Sequence, residues 1–138
     1  MTSNDNHVIR ISKLTNLNQV YWDRVYYSKL KRKWTPGSKL VFISRTVNSN
    51  DAFVGLGNIQ IAYHLLDLNV AEREICTENN YHSKVVFETM VRFYPAVLVK
   101  DVRLSSTSKT YGPSLDGAEI SDSDISEIEK RVNIEVTT

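Results

Sequence analysis

Five aromatic rings and five cationic side chains crowd into fourteen residues, "YWDRVYYSKLKRKW" at 21–34. Tyr21, Trp22, Tyr26, Tyr27 and Trp34 interleave with Arg24, Lys29, Lys31, Arg32 and Lys33. Rings offer flat faces on which nucleobases stack, each contact worth ~1–3 kcal/mol by alanine substitution. Cations offer phosphate contacts, which add affinity without reading sequence. The competing interpretation is structural: rings fill a core, and Lys and Arg stems cover apolar surface while their heads stay wet. The stretch divides between the two. Tyr21, Tyr27 and Trp34 go to the core. Arg24, Lys29, Lys31, Arg32 and Lys33 are the candidate phosphate contacts, because four bases fall within residues 29–33 with no acid between them.

Other chemistries find little support. His7, His64 and His82 stand far apart, without the spacing of metal ligands. Cys76 is the single cysteine, so it has no CxxC partner, and no local signature supplies a base to activate it. The glycines of "GLGN" at 55–58 do not open a helix and no GKS/T follows, which leaves a phosphate loop unsupported. The carboxylates of "SDSDISEIE" at 121–129 serve helix capping and solubility. No catalytic residue, metal or cofactor is expected.

A chain of 138 residues is expected to form one domain, spanning 1–138 with a core at about 7–132. Its 41% hydrophobic and 24% charged content is that of a soluble globular protein. A lone cysteine, the lack of an apolar run long enough to span a bilayer and a polar "MTSNDNH" start predict a cytoplasmic protein with no membrane contact. The net charge of +1 hides an asymmetry. Residues 1–110 hold 15 Lys and Arg against 9 Asp and Glu, whereas residues 111–138 hold 2 against 7. Such a split suits a partner of opposite charge, or a solvated acidic helix.

The elements that must position these groups are read from periodicity. "HVIRIS" at 7–12 alternates as a first strand. Thr15 or Asn16 can cap a helix whose inner positions include Leu17, Val20 and Tyr21, and whose continuation through "YYSKLKRKW" is left open. "TPGSK" at 35–39 is a turn. "KLVFISRT" at 39–46 is a central strand, followed by the turn "VNSND". Residues 52–66 form one or two strands, in which Gly55 and Gly57 mark a bulge or a close backbone approach. Residues 69–83 read as a loop with a short helix, and 83–104 as two strands with Pro95 near their junction. Residues 105–119 are a loop. Residues 120–132 are a helix capped by Ser121, with Asp124 three residues on and Ile125, Ile128 and Val132 as its buried stripe. Consecutive strands between helices predict an α+β fold: a small, curved, mostly antiparallel β-barrel with flanking helices.

Four segments in order, "YWDRV", "TPGSKLVFIS", "FVGLGNI" and "FYPAVLVK", resemble the EVE domain of the PUA-like superfamily, related to YTH and ASCH domains. The resemblance covers residues 7–132 and rests on order and spacing rather than on one motif. It implies a PUA-like barrel that binds nucleic acid, RNA or DNA, often with a modified base flipped into an aromatic pocket. By the same resemblance the pocket takes Ser12 and Lys13 from the end of the first strand. It takes Ser44 and Arg45 from the end of the "KLVFI" strand, Tyr94 beside Pro95, and Trp22 as the stacking wall. The chain departs from the family pattern where no glycine follows Trp22, and where Val97 and Leu98 replace a common basic residue. In such a barrel Trp34, just before Pro36-Gly37, is expected to plug one end.

Two rival functions accompany this one. An ASCH-like hydrolase of small nucleoside-like amides would need a lysine beside an acid at the pocket, with Lys13 or Lys39 as candidates. A protein-interaction module would use the acidic C-terminal helix against a basic partner.

Overall fold

The computed structural model describes residues 5–107 and 112–138; part of the loop expected at 105–119 therefore lies outside the described residues. Among the described residues six strands and three α-helices follow in the order β1 (His7–Arg10), α1 (Leu14–Asp23), β2 (Val25–Ser28), β3 (Lys39–Arg45), β4 (Asp51–His64), α2 (Val70–Glu78), β5 (Ser83–Leu98), α3 (Asp122–Glu129) and β6 (Ile134–Thr137). The strands form one mixed sheet in the order β1-β3-β4-β5-β2, with β6 also paired to β5. Only β1 and β3 run parallel; the other pairings are antiparallel. The sheet curls into a half-barrel flanked by the three helices, the α+β architecture expected.

Both faces of the sheet are covered, and β3 shows why. Successive side chains of a strand point to opposite faces. Val41 and Ile43 join one core with Phe53, Phe93, Ile120, Ile125 and Ile128, beneath α3. Leu40 and Phe42 join the other with Leu17, Tyr21, Trp34 and Phe87, on the side of α1. A strand buried on both faces reads as a continuous apolar run rather than an alternation.

Curvature comes from irregular pairing. The β4–β5 register shifts between Phe53 and Gly55, between Asn58 and Ile59, and between Ile59 and Ile61, and such bulges bend a strand and increase its twist. Gly55 is required at its bulge because a Cβ there would overlap the Tyr21 hydroxyl and the Val91 carbonyl. At Gly57 a Cβ would lie 2.6 Å from the Phe87 ring. The close approach expected at these glycines is present.

Several boundaries differ from expectation. The first strand stops at Arg10. Lys13, not Thr15 or Asn16, occupies the N-cap of α1, without a side-chain cap bond. The helical period ends at Asp23, because Arg24 adopts a left-handed conformation with φ 58° and turns the chain into β2. Its N–H still reaches Val20 O at 2.8 Å, while its own carbonyl accepts from Phe87 N at 3.0 Å. Residues 83–98 form one strand instead of two. Pro95, which lacks a ladder donor, sits where the register jumps from Gly55↔Arg92 to Phe53↔Val97. β6 was not expected; all four of its residues are exposed, so no buried period betrays it. α3 starts as read, with Ser121 Oγ accepting from Asp124 N at 3.1 Å and Ile125 and Ile128 buried, but it ends at Glu129, so Val132, expected in its buried stripe, lies beyond the helix and is only partly buried.

Candidate nucleic-acid interface

The end of β1, the outer side of α1, β2 and the segment after α2 enclose an open hollow of about 560 Å³. Its rings are Tyr26, Tyr27 and Tyr81, with Ser12, Asn16 and Lys29 at its rim. Tyr27 and Tyr81 stack on each other, centroids 5.5 Å apart and planes 24° from parallel. Lys29 Nζ lies 6.0 Å from the Tyr81 centroid, within cation–π range.

This ring pair is braced from behind. The Tyr27 hydroxyl donates to Glu72 Oε2 at 2.6 Å, and Lys84 Nζ pairs with the same oxygen at 2.7 Å. Glu72 is held in place by the Asn69 cap of α2, whose side-chain oxygen accepts from Glu72 N at 2.9 Å. The bonds from Lys84 and Tyr27 hold the Glu72 carboxyl below its usual range. Burial, then the bond to Glu72, pushes the Tyr27 hydroxyl up. Burial, with Asp116 nearby, does the same for Tyr26. Both phenols stay neutral across the physiological range, so the hollow presents uncharged rings among charged neighbours: Lys29 and Arg10, and the carboxylates Asp23 and Asp116.

The basic run continues from this hollow into another. Lys31, Arg32 and Lys33 rim a second opening, of about 850 Å³, between the 31–36 segment, the end of β4 and residues 82–83. Trp34 closes its base: it is 3% exposed, its Nε1–H donates to Ser83 Oγ at 2.9 Å, and His7 meets its ring edge-on at 5.2 Å. This is the buried role expected of it. Arg32 is partly engaged, since one of its amino groups lies 3.0 Å from His7 Nε2. Burial and the adjacent Arg32 charge lower the His7 pKa. The neutral imidazole therefore accepts from Arg32 and donates its Nδ1–H to Asp5 O at 2.8 Å.

The remaining expected site residues are dispersed. Trp22 is 85% exposed on the outside of α1 and lines neither hollow, whereas Tyr21 beside it is buried with its hydroxyl donating to Val91 O at 2.6 Å. Helical geometry turns adjacent residues about 100° apart, so with Tyr21 inward Trp22 faces water. Arg24 is committed to the chain itself: its guanidinium donates to Glu88 O at 2.7 Å and to the Thr138 main-chain oxygen. The left-handed turn folds this side chain back over β5 and β6, away from the basic run. Ser44 is 1% exposed in β3, and its hydroxyl has no hydrogen-bond partner among the described residues. Arg45, at the end of β3, borders a different recess beside Asp51 and Lys100. Tyr94 is half exposed where β5 pairs with Ile134 of β6. Lys13 is exposed next to Ser12 and Lys39 is half-buried at the start of β3; neither lines the tyrosine hollow. The hollows thus gather Ser12, Lys29, Lys31, Arg32 and Lys33 of the expected set, and not Lys13, Trp22, Arg24, Ser44, Arg45 or Tyr94.

Tyr81, His82, His64 and Tyr63 were missed. The one available signal was an aromatic–imidazole pair, "YH", in an otherwise polar connection, since rings without a helical or strand period have no core to enter. Among the described residues no group of three His, Cys, Asp or Glu side chains could hold a metal. No helix among them is long and apolar enough to cross a membrane.

No family model and no curated protein matches the chain in sequence. Among solved structures, the crystal structure of the Pho92 YTH domain in complex with m6A is similar. The TM-score is 0.51 over 99% of this chain and 91% of that one, with 16% identity. The likeness shows the fold alone: an α+β half-barrel similar to that of the YTH domain.

Proposed function

We propose that this domain binds single-stranded nucleic acid and seats one unstacked base, carrying a modification, against the tyrosines of the first hollow. The observation that carries this reading is the braced Tyr27–Tyr81 pair with Lys29 over one ring. It joins a neutral stacking face to a phosphate-seeking charge. A base that leaves its stack costs a few kcal/mol, which aromatic contacts in the pocket offset. A modified base adds apolar area that such a pocket can cover. The YTH neighbour was solved with m6A, and the motif order resembling EVE domains points the same way. Both support the reading at the level of fold and pattern. The stacking wall in this reading is Tyr26, Tyr27 and Tyr81 rather than Trp22. The phosphate contacts are Lys29, Lys31 and Lys33, with Arg32 sharing its charge with His7. In this reading the domain acts by binding, and Glu72 and Lys84, behind the rings, are engaged with each other and with Tyr27.

The test is anisotropy with labelled single-stranded RNA and DNA oligonucleotides carrying adenosine or m6A at one position. Binding should weaken with salt, with a log–log slope of about −0.7 per phosphate contact. Replacing Lys29, Lys31 and Lys33 by Gln should flatten that slope. Failure to bind any of the strands at low salt would contradict the proposal.

A further inference from the structure

The second hollow shares a wall with the first. Leu30 lines one and Lys31 the other; Tyr81 lines one and His82 the other. That wall is rigid. His82 N–H donates to Ser28 O at 2.7 Å, His82 O accepts from Leu65 N at 3.0 Å, and Leu30 N–H donates to Ser28 Oγ at 3.1 Å. The rings behind the two hollows are also tied together. Lys84, paired with the Glu72 that holds Tyr27, places its Nζ 6.0 Å from the centroid of Tyr63, which lines the second hollow.

We infer that the second hollow is a nucleotide subsite for the residue adjoining the one held by the tyrosines. This inference rests on the reading of the first hollow as a base pocket. Its volume of about 850 Å³ lies within the range of small-molecule sites, about 300–1,000 Å³. Its floor is apolar and aromatic, from Trp34, Pro36, Ala62 and Tyr63, while Lys31 and Lys33 stand at the rim with one carboxylate, Asp67, among the lining residues. A base fits the floor and a phosphate fits the rim. His64 and His82 supply polar edges. His64 Nδ1 accepts from Leu66 N at 3.1 Å, which leaves Nε2 as the ring's donor. Lys29 at the first hollow and Lys31 at the second are two residues apart, at most about 7 Å of chain. One extended strand can keep its phosphates on this segment while consecutive bases drop to either side of it. An acidic peptide would satisfy the cations but leave the aromatic floor unused, which favours the nucleotide.

The experiment is an NMR titration of the intact protein with adenosine 5′-monophosphate, a short oligoadenylate and a short polyglutamate peptide. The chain has two tryptophans, so Trp34 Nε1–H reports the second hollow and the exposed Trp22 serves as control. The oligoadenylate should shift the Trp34 indole and His82 ring signals together with those of Tyr27 and Tyr81. The Tyr63→Ala/His82→Ala double variant should bind oligoadenylate about ten-fold more weakly, the worth of one stacking contact, and bind the mononucleotide at the tyrosines as wild type does. Shifts at the tyrosines alone, with the double variant binding the strand normally, would overturn the subsite and leave the base pocket standing. A strand that shifts neither set would overturn both. Polyglutamate shifting Trp34 where oligoadenylate does not would also overturn the subsite, in favour of a protein partner.

Discussion

The two faces of the half-barrel are covered by helices of different character. α3 presses Ile125 and Ile128 into the sheet, and its first turn is locked. Asp124 accepts from the backbone N–H and hydroxyl of both Ser105 and Ser106 while Ser121 caps it. α1 on the opposite face buries only Leu17 and Tyr21, leaves Trp22 in water, and contributes Asn16 and Gln19 to the edge of an open hollow. Both faces carry a buried core, but the α1 side also keeps aromatic and cationic groups accessible at its edge.

The contrast is sharpest in the core. Ile128 is fully buried, and Ile128→Ala should cost about 2–5 kcal/mol, read as a drop in the denaturation midpoint. A wild-type midpoint would show that α3 is not docked.

Asp124 comes next. Burial opposes its charge, but the bonds from Ser106 and Ser105 outweigh that and hold its carboxyl below the usual range. The stabilisation is therefore complete above the unfolded value of about 3.9 and is lost as pH falls through the folded value. Asp124→Asn should cost about 1.5–3 kcal/mol at neutral pH and should flatten the acid limb of stability. An unchanged acid limb would remove this lock from the account.

At the other end of α3 the sign reverses. Burial, then the Glu135 carboxyl, raises Glu129 to about 7, with Lys39 acting against them. Folding then favours the protonated form, and stability declines as pH rises from about 4.3 towards that value. Glu129→Gln should raise the melting temperature at pH 8 and leave it almost unchanged near pH 4; discounted for partial exposure, the gain stays within about 1 kcal/mol. A gain of equal size at both pH values would contradict the assignment.

The smallest effect belongs to the open face. Trp22→Ala should change stability by no more than about 0.5 kcal/mol, as surface substitutions do. A loss of the size seen for Ile128→Ala would mean that α1 buries this ring after all.

The same contrast explains what could be read from the sequence. α3 announces itself locally: a cap, acids in the first turn and an apolar stripe all lie within the twelve residues 121–132. The strand 39–45 is equally plain, because burial on two faces leaves no polar position to confuse it. The stretch 21–34 is opaque because its outcome turns on Arg24. No propensity assigns a left-handed arginine, and that single residue changes the period from helical to extended. Beyond it Tyr26 and Tyr27 belong to a strand whose neighbour, Ser83–Leu98, lies some sixty residues away. The stretch does hold the exposed Trp22 and the rings of Tyr26 and Tyr27. Helical phase decides that Trp22 faces outward, and the partner that completes the aromatic pair, Tyr81, arrives from the far side of α2.

The account stands or falls on the tyrosine hollow, and Tyr81→Ala measured beside Trp22→Ala tests it most directly. Tyr81 stacks on Tyr27 and is only partly buried, so its removal should leave a folded protein. Affinity for a single-stranded oligonucleotide carrying a modified base should fall by about 1–3 kcal/mol in Tyr81→Ala and stay at the wild-type value in Trp22→Ala. A Tyr81→Ala protein that melts and binds like wild type, with the loss appearing in Trp22→Ala instead, would contradict the account.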